Sequence, residues 1–92
     1  MIEPTDIDGH VERNGKFLWL ETKRPGAQIP EGQMITLKRL AKRGDAVMVI
    51  WGETDKPEEL LILYKDREQR IPANVNVLRA RVSAWFNWAN GK

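Results

Sequence analysis

Two short apolar runs limit what this chain can become. Phe17-Leu18-Trp19-Leu20 and the segment from Ala46 to Trp51 (Ala-Val-Met-Val-Ile-Trp) are nearly continuous in hydrophobic residues. Runs of this kind suit strands buried inside a sheet, the first of them central and covered on both faces. The rest of the chain reads as framing for them. From Asp6 to Arg13 the residues alternate loosely, with Ile7, Gly9 and Val11 on one side and Asp6, Asp8 and His10 on the other. Asn14-Gly15 is the strongest short-range signal for a hairpin turn. Arg24 to Ile29 holds Pro25 and Gly26 and reads as a loop, and Pro30 fits the first turn of a helix. That helix is expected over Glu31 to Arg43, with Met34, Leu37, Leu40 and Ala41 at helical spacing. Gly44 suits its C-terminal cap, and the bases before it suit the negative end of the dipole. Beyond the strand ending at Trp51, Gly52 to Glu59 reads as a polar loop and Leu60 to Tyr64 as a fourth strand at an edge. Asp66 to Asn74 reads as a polar segment. Val75 to Asn90 is expected to be an amphipathic helix whose stripe is Leu78, Val82, Trp85, Phe86 and Ala89. The expected order is β-β-α-β-β-α, an α/β fold with a mixed central sheet flanked by helices.

With 92 residues this is one domain, 1–92, and its core is thin, because so short a chain buries only about 60–65% of its unfolded surface. The chain has no cysteine and a single histidine, His10. A disulfide framework, a thiolate zinc site and a cysteine nucleophile are excluded, and a Ser-His-Asp triad or multi-histidine metal site is disfavoured. No apolar run approaches the roughly 18–20 residues of a membrane helix, so no membrane partner is expected. The acidic start from Met1 to Gly9 lacks the pattern of a secretory signal, so the expected location is cytoplasmic.

The net charge of +2 hides four alternating blocks: −3 over 1–22, +5 over 23–44, −4 over 45–69 and +4 over 70–92. The second block gathers Lys38, Arg39, Lys42 and Arg43. Such a cluster neutralises phosphates in nucleic-acid binding proteins. A solvated helix face is the plainer account of the same residues.

The chemistry-bearing feature is the placement of acids. Glu21 ends an apolar strand, where core packing alone would not put a carboxylate. Lys23, two positions on, projects from the same face. The hairpin brings Asp6 and Asp8 of the partner strand alongside Glu21. Carboxylates crowded together need a cation, and oxygen-only ligation points to a hard ion, Mg²⁺ or Mn²⁺. A lysine beside them would contact a scissile phosphate or orient a water. A metal there would stabilise charge in the transition state and activate the attacking water. This is the chemistry of phosphodiester hydrolysis. The competing account makes Asp6 and Asp8 turn caps and Glu21–Lys23 a surface ion pair.

The arrangement resembles the PD-(D/E)XK nuclease superfamily, whose core is a hairpin bearing Asp and Glu-x-Lys, then a helix, then further strands. The matching pieces are Pro4-Thr5-Asp6-Ile7-Asp8-Gly9, Glu21-Thr22-Lys23 and Gln33. Within it the chain most resembles the virus-type replication-repair nuclease (VRR-NUC) domains, through Gln33-Met34-Ile35-Thr36-Leu37, Gly44 and the strand Val47 to Trp51. The resemblance covers residues 4–52, the motif-bearing core, and leaves 53–92 as a C-terminal strand and amphipathic helix. It implies a small restriction-endonuclease-like core and a metal-dependent DNA endonuclease. Glu21 would be the second metal-binding acid, Lys23 the catalytic lysine, and Gln33 a buttress of the site. The Thr22 carbonyl would join the metal shell. Asp6 and Asp8 both remain as the first acid, with Asp6 ranked ahead. It further implies branched DNA such as a Holliday junction as substrate, a homodimer, and a viral origin with location in the host cytoplasm. Family members usually begin with a helix that donates a further glutamate; here the tryptophan-rich C-terminal helix is a candidate for its place.

Other residues extend the picture. Arg24, directly after Lys23, is placed for phosphate contact, together with Lys38, Arg39 and Lys42. Trp19 and Trp51 are expected in the core. Trp85 and Trp88, three apart on the last helix, suit a dimer interface. Two non-catalytic readings compete with the enzyme: a nuclease-fold module that binds nucleic acid or a protein partner without cutting, and an assembly protein using the tryptophan-rich helix.

Overall fold

The structure, a computed structural model, describes residues 8–91. Asp6 lies outside the described residues. The elements are β1 (Gly9–Arg13), β2 (Lys16–Lys23), α1 (Glu31–Lys42), β3 (Ala46–Glu53), β4 (Lys56–Tyr64), β5 (Arg67–Pro72) and α2 (Val75–Asn90). They build one mixed sheet in chain order, β1-β2-β3-β4-β5. Only β2 and β3 run parallel; the other three pairs are antiparallel. A parallel pair needs a crossover connection, and α1 supplies it.

Each turn carries its own cause. Asn14 (φ 57°) and Gly15 (φ 78°) both sit at positive φ, as a type I′ hairpin turn demands. The Asn14 side-chain amide donates to the Ala89 carbonyl at 3.1 Å, tying the first hairpin to the end of α2. In α1, Gly44 N–H bonds the Ala41 carbonyl (3.0 Å) and Asp45 N–H the Leu40 carbonyl (3.1 Å). That is the paired Schellman closure, with Gly44 at φ 108°. α2 starts on Asn74, whose side chain accepts from Val77 N–H at 2.9 Å.

The sheet is covered on both faces. On one, α1 lays Leu37 and Ala41 onto Val47, Val49, Trp51, Leu61 and Leu63. On the other, α2 lays Leu78, Trp85 and Ala89 onto Leu18, Met48, Ile50 and Leu60. The apolar run of β3 is thereby buried on both sides. β2 is less completely covered: Leu18 is buried, while Phe17 and Trp19 are half-buried. α1 packs over β3 and β4. No helix among the described residues is long and apolar enough to cross a membrane.

The second half departs from the sequence expectation. The order is β-β-α-β-β-β-α, because Arg67–Pro72 forms a fifth strand. Its one large apolar residue, Ile71, packs against the α2-side core. Arg67 to Arg70 are charged or polar and Pro72 closes the strand, as suits an edge exposed to solvent and guarded against foreign pairing. β4 is therefore interior, not an edge, and begins at Lys56. The expected loop from Gly52 to Glu59 is instead a tight hairpin around Thr54-Asp55, with a register shift at Trp51/Gly52. Gly52 sits at φ 102°, and a Cβ there would lie 2.8 Å from the Lys56 carbonyl oxygen. Helix α1 ends one residue before the expected Arg43, which is its C-cap.

Candidate active site

β2 delivers Glu21 and Lys23 to its C-terminal end, on the sheet face shared with α1. Glu21 is only 5% exposed. Burying a carboxylate is costly unless donors surround it, and three do. Gln33 Nε2, from the first turn of α1, donates to Oε2 at 2.9 Å. Lys23 Nζ lies 3.3 Å from the same oxygen. The Asp8 main-chain N–H donates to Oε1 at 3.3 Å. The crossover helix thus meets the strand end at the residue pair that the Gln33 motif suggested.

Asp8 is adjacent but differently engaged. Among the described residues β1 pairing ends at Gly9 opposite Leu20, two positions short of Thr22. Asp8 reaches Thr22 through its side chain: its Oδ2 accepts from Thr22 N–H at 2.7 Å and from Thr22 Oγ1 at 2.5 Å. The Thr22 hydroxyl, then its amide, with the charge of Lys23 in addition, hold the Asp8 carboxyl below the ordinary aspartate range. This bond ties Asp8 to β2 across 14 residues of sequence, whereas the competing account makes the acid a turn cap. It was not readable from the sequence, because it depends on where β1 stops.

Among the described residues, no group of three or more His, Cys, Asp or Glu side chains converges on one point. The donor set at the strand end is Asp8, Glu21 and the Thr22 carbonyl, all oxygen. That set fits a hard divalent ion, since Mg²⁺ keeps several waters and binds through one or two carboxylates. It does not fit a softer metal, which would need imidazole or thiolate.

Lys23 opens onto a cleft of about 710 Å³ between the chain leaving β2 and the β3–β4 hairpin. Thr22, Lys23, Arg24 and Pro25 form one wall; Glu53, Asp55, Lys56 and Glu58 belong to the other. Arg24 is exposed on the basic side. The loop is fixed from below, because the buried Trp51 indole donates to the Ala27 carbonyl at 2.7 Å. Trp51 is thus core, as expected, and also a brace for the cleft.

The structure separates the basic helix cluster from Glu21. α1 runs away from its Gln33 end, and at 1.5 Å per residue Lys42 lies roughly 13 Å further along. Lys38 pairs with Glu68 at 3.6 Å, both side chains exposed. Lys38 and Lys42 line a second groove with Lys65, Asp66, Arg67 and Glu68. Arg39 is exposed on the same turn of helix. Arg43 is drawn off to Asp45, at 2.8 and 2.9 Å. Asp45, 9% exposed, also accepts the Trp19 indole N–H at 2.8 Å. Sequence reasoning passed over Asp45, Thr22 as a side-chain donor, and Lys65 and Arg67 as companions of the helix bases. The signal for Asp45 was its place beside Gly44, directly ahead of a buried strand.

Fold and site together define a small mixed α/β domain with a buried, lysine-paired glutamate at the end of an inner strand. Comparison with protein-family models, curated proteins and solved structures finds no match to this chain.

Proposed function

We propose that this protein is a Mg²⁺- or Mn²⁺-dependent deoxyribonuclease of the PD-(D/E)XK type, acting on branched DNA as a homodimer. The observation that carries the reading is Glu21, a carboxylate kept in a nearly closed site by Gln33 and Lys23. A small domain has little core to spare, and burying a carboxylate in it is costly. In this reading Glu21, the Thr22 carbonyl and Asp8, with Asp6 as the alternative first acid, would hold the ion, which would supply charge stabilisation and an activated water. Lys23 would orient that water and offset charge on the phosphate; the water oxygen would bond to phosphorus as the bond to the leaving oxygen breaks, with the water's proton passing to solvent and the leaving oxygen protonated from solvent. Gln33 fixes the rotamer of Glu21. Arg24 contacts the phosphate backbone at the cleft rim.

The test is cleavage of four-way junction, flap, single-stranded and linear duplex DNA by wild type, Glu21→Gln and Lys23→Ala, with Mg²⁺, Mn²⁺ or EDTA. Metal-dependent cutting by wild type, lost in both variants, is the expected result. Junction binding without cutting in any condition would instead support a binding module. That second reading draws on the Asp8–Thr22 bond, which gives Asp8, one of the two candidates for the first acid, a structural occupation. Sedimentation of the wild-type protein tests the homodimer.

A further inference from the structure

His10, Phe17 and Trp19 form a continuous aromatic shelf on the sheet face that carries Glu21. The ring centroids of His10 and Trp19 are 5.1 Å apart, those of His10 and Phe17 5.7 Å, and Phe17 and Trp19 lie 5.5 Å apart at 11° between planes. His10 is exposed and the other two are half-buried. The register explains the grouping, since His10 faces Trp19 and Glu12 faces Phe17 across β1 and β2. The same register explains its position. His10, on β1, is two residues beyond Asp8, and Trp19 is two residues from Glu21 on β2. The shelf therefore begins one side-chain step from the acids, about 6.6 Å at 3.3 Å per residue.

We propose that this shelf stacks an unpaired nucleobase of the strand whose phosphate lies at Glu21 and Lys23, so that the preferred substrate carries single-stranded nucleotides beside the scissile bond. The proposal rests on the nuclease reading and adds the substrate's local form. Its occupant follows from the chemistry of the surface. The side chains are aromatic rather than aliphatic, the His10 ring tilted 40° and 43° to those of Phe17 and Trp19, and every base offers a π-face to such rings. The Trp19 indole is held in place by Asp45, itself anchored by Arg43, so the shelf is ordered before any ligand arrives. Cations stand at the acidic end of the same face: Lys23 beside Glu21, and Arg24 next to it. A strand laid along β2 would meet cations at its phosphate and rings at its base.

The test uses two oligonucleotides of one length, one bearing thymine at every position and one abasic at the central positions, titrated with protein in Ca²⁺ or EDTA. Wild type is expected to bind the base-bearing strand more tightly. His10→Ala is expected to weaken that binding about 5- to 150-fold per stacked base while leaving abasic binding unchanged. Phe17→Ala, checked for folding by circular dichroism, provides a second reading of the same loss. Equal binding of both strands by wild type would overturn the shelf and leave the nuclease reading standing if junction DNA is still cut. Absence of both binding and cutting would overturn both. A dimer that dissociates on His10→Ala would also overturn it, because the shelf would then be a contact between copies.

Discussion

Glu21 shows how a residue can be placed by its neighbours in space and still be found from its neighbours in sequence. Its position at the end of an apolar run, with Lys23 on the same face, was legible because strand side chains alternate strictly. The partner Gln33 was legible only through the family resemblance. Exchanging the acid for its amide tests the role with little change in shape. Glu21→Gln is expected to lower a cleavage rate by a factor of about 10²–10⁴ while thermal melting stays near wild type. Lys23→Met should act on stability as well as activity, because the buried carboxylate loses a charged partner; about 1–3 kcal/mol is expected by urea denaturation. Asp8 contributes through pH. Its folded-state value is depressed below the ordinary 3.8, first by the Thr22 hydroxyl. Stability from this bond is therefore complete above the unfolded value and is lost as pH falls through the folded one. Thr22→Val removes the hydroxyl donor, so the variant is expected to be less stable at neutral pH and to show a flatter acid limb in urea melts from about pH 5 to pH 2.

At the scale of elements, the helices, the first hairpin and the apolar run of β3 were readable, whereas the start of β4 and all of β5 were not, for one physical reason. A buried element advertises itself through apolar periodicity. α2 spans the residues its stripe marked, and β3 occupies its apolar run with only Gly52 and Glu53 added. β5 earns its place by backbone pairing to β4, and hydrogen-bonded ladders leave no trace in composition. Its Arg70 is held by Glu59 at 2.7 Å and lies 4.3 Å over the Trp51 ring, contacts that no local pattern encodes. The β3–β4 turn was hidden in the same way, since its irregularity rests on Gly52. Gly52→Ala would force a non-glycine side chain to positive φ against the Lys56 carbonyl, and a loss of about 1–3 kcal/mol is expected in denaturant melts. The basic turn of α1 can be tested as an element too. Replacing Lys38 and Lys42 by Gln is expected to weaken DNA binding uniformly across sequences and to lower the salt slope by about 1–2. Single-turnover cleavage at saturating protein should be unchanged, because these bases stand away from Glu21.

For the whole molecule, Glu21 is held, among the described residues, by Asp8, Lys23 and Gln33. The remainder of the chain holds those residues in register. Strand order equals chain order, so each strand after the first lies beside its immediate predecessor. Three of the four connections between successive strands are two-residue turns, at Asn14-Gly15, Thr54-Asp55 and Lys65-Asp66, which leaves one long closure, the 24–45 connection that sets β2 against β3. Folding speed should be governed by that one event. The hairpins can form on their own in microseconds, whereas bringing β2 to β3 must first overcome the entropy of closing the intervening chain. Truncating Leu37 on the crossover helix is therefore expected to slow refolding, and truncating Ile71 on β5 to speed unfolding, in stopped-flow chevron plots.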